Sequence, residues 1–206
     1  MPPASRIASL TVATLLAWGP WHRAEAEVIA QTSVSYFDIS GNTADQLDAA
    51  LNARGPVAMG ASSRHPGATR IRFGGQATYV ESGGRCHIGG ARVTVDTQII
   101  LPRWRDRRHA ETGLPAVWDR LATDIRRHEE HHAEIARSHA NRMEKAIMAL
   151  RPERSCDLLQ DKVSRESARA IRLHDRDQEH FDRVEAANFA DRMERLARRP
   201  EIKPSL

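Results

Sequence analysis

Three features are scarce or missing in the sequence, and each absence restricts the possible fold or function. Beyond the N-terminal stretch, no apolar run is long enough to cross a membrane, and there are no internal repeats or low-complexity linkers. The basic residues are not gathered in one block, although the net charge is +4 and the pI about 9.6. We therefore expect one globular domain with a solvated basic surface, no membrane span beyond the N-terminal stretch and no nucleic-acid partner.

The one long apolar run lies at the N-terminus and is typical of an export signal. Ile7 to Trp18 is apolar, Gly19-Pro20 interrupts the run, and Ala24-Glu25-Ala26 is a small-x-small cleavage site. The run is too short for a comfortable bilayer span. We predict a signal peptide over residues 1–26, a single domain over 27–206, and a periplasmic or secreted protein. No cysteine near the predicted cut is available for lipid attachment.

Cysteine is scarce, and export changes how the two that are present are interpreted. Cys86 and Cys156 are the only ones in the chain. An oxidising compartment favours pairing them, although two separate buried thiols are the alternative. A disulfide between them would close a long loop and stabilise the fold by roughly 4 kcal/mol.

The pattern of apolar residues changes along the chain from strands to helices. A strand is predicted over 34–39, a short helix over 44–54 with Thr43 as N-cap, and two long strands over 69–80 and 86–101 joined by a turn. Long helices follow over about 115–150 and 161–199, separated at Pro152. The sequence predicts an α+β fold in which a small antiparallel sheet is followed by a two-helix hairpin.

The first long helix carries the motif H-E-x-x-H, at residues 128–132. His128 and His132 fall on its core-facing stripe, four residues apart, so both rings can approach one zinc ion. Glu129 lies beside them and can act as general base toward a water activated by the metal. His131 points off the stripe. The competing interpretation is a pair of hydrogen-bonded core histidines, but buried imidazoles are costly without partners.

Several stretches along the mature chain have a characteristic sequence: YFDISGNTADQLDAALNARGP (36–56), GGRCHI (83–88), VTVDTQIILPRW (93–104), HEEHH (128–132), the Cys156 segment and FD (181–182). Together they resemble a bacterial domain family of unknown function, whose members are described as predicted secreted zinc-dependent proteases. The resemblance covers nearly the whole mature chain. It implies a zinc peptidase-like protein in which His128 and His132 are ligands of Zn²⁺ and Glu129 is the catalytic base.

One departure from the family leaves the third ligand open. In the family the second helix ends in a pattern like Y-D-x-x-T-x-H-G, but Ala187 and Asn188 stand at the His and Gly positions here. His139 lies seven residues past His132 with no intervening glycine, so it does not complete the longer H-E-x-x-H-x-x-G-x-x-H motif. Its place on the core-facing stripe predicts that it is buried or supports a ligand indirectly.

The geometry of a helical hairpin limits the candidates for the third ligand. A turn centred near residue 156 places residue 182 level with the motif, and a turn near 153 places residue 176 there. We predict Glu185 as the ligand, with His174 second and Asp182 third, because Glu185 and His174 point along the core direction. His180 points away from it. Under the longer turn, His174 would instead pair with His139.

Two functions are compatible with this sequence. The first is a secreted or periplasmic zinc-dependent hydrolase, a peptidase acting on peptide or protein substrates. The second is a non-catalytic envelope protein that keeps the fold and a structural zinc. A site with an open position favours the first, and a site closed by four ligands favours the second.

Overall fold

The computed structural model describes residues 25–57 and 64–198, with side chains described for 26–57 and 64–188. Strand β1 (Glu25–Ile39) is followed by helix α1 (Ala44–Arg54), strands β2 (Ala68–Ser82) and β3 (Arg85–Trp104), and helices α2 (Leu114–Met148) and α3 (Cys156–Arg198). The α+β architecture is confirmed, with a small sheet followed by a helical hairpin. The predicted signal peptide lies outside the described residues except for its last two, which begin β1.

The sheet is mixed, where the sequence predicted an antiparallel one. Its strand order is β1-β3-β2, with β2 antiparallel to β3 and β1 parallel to it. The reason is the path of the chain: α1 and its flanking loops separate β1 from β2, and the β2–β3 hairpin then inserts β3 between the two. Gly83 and Gly84 adopt left-handed backbone angles in the tight turn of this hairpin (φ 59° and 68°).

The hydrophobic core lies between one face of the sheet and helix α2. Alternate residues of β3 face the helix, and alanines on α2 allow the two layers to approach closely. A second cluster, around Trp104 and Trp118, joins α1, the end of β3 and the start of α2. The main cluster contains Ala91, Val93, Val95, Ala136, Ala140, Met143, Ile147 and Ala170.

Helix α3 is held mainly by α2 and by one covalent link. Cys86 at the start of β3 and Cys156 at the start of α3 form a disulfide, as predicted. Beside it, Cys86 and Glu153 exchange two backbone hydrogen bonds of 2.8 and 2.9 Å. These links fix where α3 begins relative to the sheet, and they determine which of its residues face the histidines of α2. In the part of the chain that is described, no helix has the length and apolarity needed to span a bilayer.

Candidate metal centre

Helix α2 brings the two motif histidines together on the face that meets α3. The Nε2 atoms of His128 and His132 are 3.1 Å apart, and the rings meet edge to face. Both side chains are largely removed from solvent, at 27% and 13% exposure. The i, i+4 spacing on one helix therefore aims both ring nitrogens at a common point, as the sequence predicted.

Helix α3 supplies Asp182 to the same point. Its Oδ1 atom lies 3.0 Å from Nε2 of His132 and 3.4 Å from Nε2 of His128. Burial opposes ionisation of Asp182, but hydrogen bonds from the two histidines outweigh it and lower the pKa of the carboxyl group. The carboxylate therefore carries a negative charge at neutral pH.

The three atoms have the spacing of one face of a zinc tetrahedron. Ligand atoms about 2.0–2.1 Å from a tetrahedral zinc ion lie about 3.3 Å from one another. The observed separations among His128, His132 and Asp182 are 3.0, 3.1 and 3.4 Å. Among the described residues, these three form the one group of His, Cys, Asp or Glu side chains whose donor atoms converge in this way. The donor set is therefore one that zinc accepts.

Glu129 lies between the two histidines in sequence but points toward the sheet. It is only 5% exposed, and its Oε2 atom accepts a hydrogen bond of 2.8 Å from Thr69 at the start of β2. Gly67 packs beside it, where an added Cβ would lie 2.9 Å from Oε1. Burial raises the pKa of Glu129, and the bond from Thr69 only partly offsets this. The environment therefore gives this carboxylate a higher proton affinity than that of a surface glutamate.

The other ring nitrogen of each histidine faces a partner on α3. Nδ1 of His132 meets the side-chain oxygen of Gln178, and Nδ1 of His128 lies 3.7 Å from Glu185. Arg127 pairs with the same Glu185 carboxylate. Ligating histidines commonly donate the second ring N–H to such acceptors, which fixes the ring and leaves the first nitrogen free.

Phe181 forms an apolar wall on one side of the group. Its ring stacks on His128 and His131 with centroids 4.9 and 4.3 Å away, and it meets His132 edge-on at 5.0 Å. Asp182, by contrast, keeps 55% of its side chain exposed. The group is thus walled on one side while remaining accessible to solvent at the carboxylate.

The structure places the predicted third ligand elsewhere. Glu185 contacts Arg127 and the outer nitrogen of His128, and it is not part of the converging group. Asp182, the third-ranked candidate, occupies the position that was expected for Glu185. The turn centred near residue 156 was the correct one, because residue 182 is level with the motif. Glu185 lies almost one helical turn further along α3 and does not reach the Nε2 atoms of the two histidines.

The remaining histidines lie as their helical positions predict. His139 and His174 are buried and meet edge to face at 5.6 Å, as expected for the longer turn. His131 and His180 are exposed. His139 is also bonded to Asp177 at 2.8 Å, which occupies its Nε2 atom away from the metal group.

Sequence reasoning missed three contributors: Gln178, Phe181 as the stacking wall, and Thr69. A signal for the first two was present, since residues 174, 178, 181, 182 and 185 share one face of a helix. A mostly polar stripe at this spacing on the second helix indicates which face of that helix meets the H-E-x-x-H motif of the first. Thr69 could not have been found, because its contact with Glu129 depends on how the sheet packs on α2.

The chain belongs to the family described as "Bacterial protein of unknown function (DUF922)", whose family model matches residues 34–189. No curated protein and no solved structure matches it.

Proposed function

We propose that this member of the family is a zinc-dependent hydrolase that cleaves peptide bonds outside the cytoplasm. His128, His132 and Asp182 would hold the zinc ion, and Glu129 would act as general base. The observation that carries the proposal is the convergence of two ring nitrogens and one carboxylate oxygen within 3.0–3.4 Å, together with the burial of Glu129, the residue that follows His128.

Each residue has a distinct task in this proposal. Bound zinc would polarise a substrate carbonyl and make water acidic enough to be deprotonated near neutral pH. Glu129 accepts the proton of the attacking water and passes it to the leaving amine. Its raised pKa suits both steps, and Thr69 holds Oε2 so that the carboxylate keeps one orientation. Phe181 supports the histidine rings and keeps water from their stacked side.

The alternative is a non-catalytic envelope protein with a structural zinc. Structural zinc sites are closed by four protein ligands, whereas catalytic sites have three and an open position. The converging group in the described part of the chain has three members, and Asp182 leaves its solvent side open. These features favour the catalytic function. The export signal predicted from the sequence and the disulfide support a periplasmic or secreted location.

The deciding experiment measures metal content and peptidase activity on the mature protein. We expect about one zinc per chain, with loss of zinc in His132→Ala and retention in His180→Ala, which removes an exposed histidine from α3. Glu129→Gln should keep zinc but lose hydrolysis, because an amide cannot accept the proton. Zinc binding without hydrolysis of any peptide library would support the structural alternative. Full zinc binding by His132→Ala would refute the site.

A further inference from the structure

Gln178 lies on α3 between His174 and Asp182 and makes three hydrogen bonds at the edge of the metal group. Its Oε1 atom meets Nδ1 of His132. Its amide nitrogen is 3.1 Å from the backbone oxygen of His132 and 2.8 Å from Nε2 of His174. One uncharged side chain therefore contacts both the ring and the backbone of a proposed ligand.

The backbone contact decides which way the amide points. A carbonyl oxygen can only accept a hydrogen bond, so the NH₂ group of Gln178 must be the side that faces His132 O. Oε1 then faces Nδ1 of His132 and requires a proton on that nitrogen. With Nδ1 protonated, Nε2 is the nitrogen whose lone pair becomes available to a metal, once zinc displaces the proton that Nε2 shares with Asp182.

His174 holds Gln178 in this orientation. Its Nδ1 atom donates to Asp175 at 3.0 Å, so its Nε2 atom is free to accept from the Gln178 amide. His174 is only 6% exposed, and burial lowers its pKa, which keeps the ring neutral at physiological pH. A flipped amide would place Oε1 against two acceptors. The chain Asp175–His174–Gln178–His132 therefore has a single consistent set of donors and acceptors.

We propose that Gln178 is a positioning residue, which sets the ring orientation and tautomer of His132 so that Nε2 is prepared for zinc. This inference rests on the proposed zinc site. Gln178 accepts from Nδ1 without adding a negative charge, unlike Glu185 at the other histidine, where Arg127 pairs with the carboxylate. A neutral amide thus orients His132, whereas a carboxylate lies at the outer nitrogen of His128.

The test compares zinc affinities of the folded mature protein, measured by competition with a chromophoric chelator. Gln178→Met keeps the length of the side chain but removes every hydrogen bond, and we expect zinc affinity to fall about 10–100-fold. Gln178→Glu keeps an acceptor for Nδ1 and should lose less than Gln178→Met. In ¹⁵N-labelled, zinc-loaded protein, the ring Nδ1–H signal of His132 should be protected from solvent exchange in wild type and exposed in Gln178→Met.

The matched control is the neighbouring residue Asp177. It also bonds a buried histidine of α2, but that histidine, His139, lies outside the metal group. Asp177→Ala should leave zinc affinity unchanged, whereas Gln178→Ala should weaken it.

Equal losses in Asp177→Ala and Gln178→Ala would show a general packing effect and overturn the inference, as would unchanged affinity in Gln178→Met. If Gln178→Met does not fold, the zinc affinities of Gln178→Glu and Gln178→Ala are compared with that of Asp177→Ala, and this comparison tests the inference. Should wild-type protein bind no zinc, the proposed function itself fails; should it bind zinc through His132 regardless of residue 178, only this inference fails.

Discussion

Removing the disulfide should destabilise the protein by a predictable amount. Cys86 and Cys156 are 70 residues apart in sequence, and Cys86 is 1% exposed. The chain-entropy relation for a loop of this length gives roughly 4 kcal/mol at 25 °C. In a chain of this size each kcal/mol shifts the melting temperature by about 2–4 °C. The double variant Cys86→Ala/Cys156→Ala should therefore melt roughly 8–16 °C lower than the oxidised protein.

Thermal unfolding of the mature protein, followed by far-ultraviolet circular dichroism with and without reductant, measures this shift. Reductant should lower the melting temperature of the wild type toward that of the double variant and should leave the double variant unaffected. A thiol reagent should label Cys86 and Cys156 only after reduction. A shift of less than about 2 °C, or ready labelling of unreduced exported protein, would refute the reasoning.

Two further predictions concern the second helix. Asp182→Ala should weaken zinc binding by about two to four orders of magnitude, because zinc-site energies of about 10–16 kcal/mol shared among three protein ligands give about 3–5 kcal/mol each. Glu185→Ala should have a smaller effect, and the reverse ranking would restore Glu185 as the ligand. Burial lowers the pKa of His174 below its ordinary 6.5, against the opposing effect of Asp175. As the pH falls, His174 is therefore protonated in the unfolded chain before it is protonated in the folded protein. The stability that the neutral ring contributes is complete above the unfolded pKa and declines as the pH falls through the folded pKa. Urea unfolding of metal-free protein should show a steeper loss of stability below pH 6.5 in wild type than in His174→Gln, and equal slopes would contradict this assignment.

The helices and the motif could be predicted because they depend on local periodicity. H-E-x-x-H fixes two ring nitrogens through the geometry of one helix, and Pro152 marks the break between α2 and α3. The start of α3 was predicted at 161 but lies at Cys156. Helix ends are set by tertiary links, here the disulfide and the backbone pairing at Glu153, which periodicity does not reveal.

The sheet was harder to predict because its order depends on long-range pairing. Strand β1 begins at Glu25, nine residues before the predicted start, and it pairs in parallel with β3 along its whole length. As an edge strand it is largely exposed, so it lacks the continuous apolar run that marks a central strand. The alternating pattern of β3, buried in the middle of the sheet, was by contrast easy to recognise.

The choice between Asp182 and Glu185 as candidate third ligand depends on side-chain reach as well as on helical facing. Helical facing correctly placed Glu185 toward α2, and the longer turn correctly placed residue 182 level with the motif. Side-chain reach then decided between them: Asp182 reaches the Nε2 side of both rings, while Glu185 reaches Nδ1 of His128. Asp182 and Glu185 lie less than one helical turn apart, and sequence spacing alone does not resolve which of them meets the Nε2 atoms.

The interface between α2 and α3 is unusual for a helical hairpin because polar side chains occupy much of it near the motif. Burying such groups is costly unless each finds a partner. Here the α3 residues that share this face do so, since His174 and Gln178 bond each other, Asp182 bonds both motif histidines, and Glu185 pairs with Arg127. An apolar stripe would hold the two helices together more simply. The polar one brings two imidazole nitrogens and a carboxylate to one point, where a bound cation could take the place of the protons that they share and where packing alone does not require them.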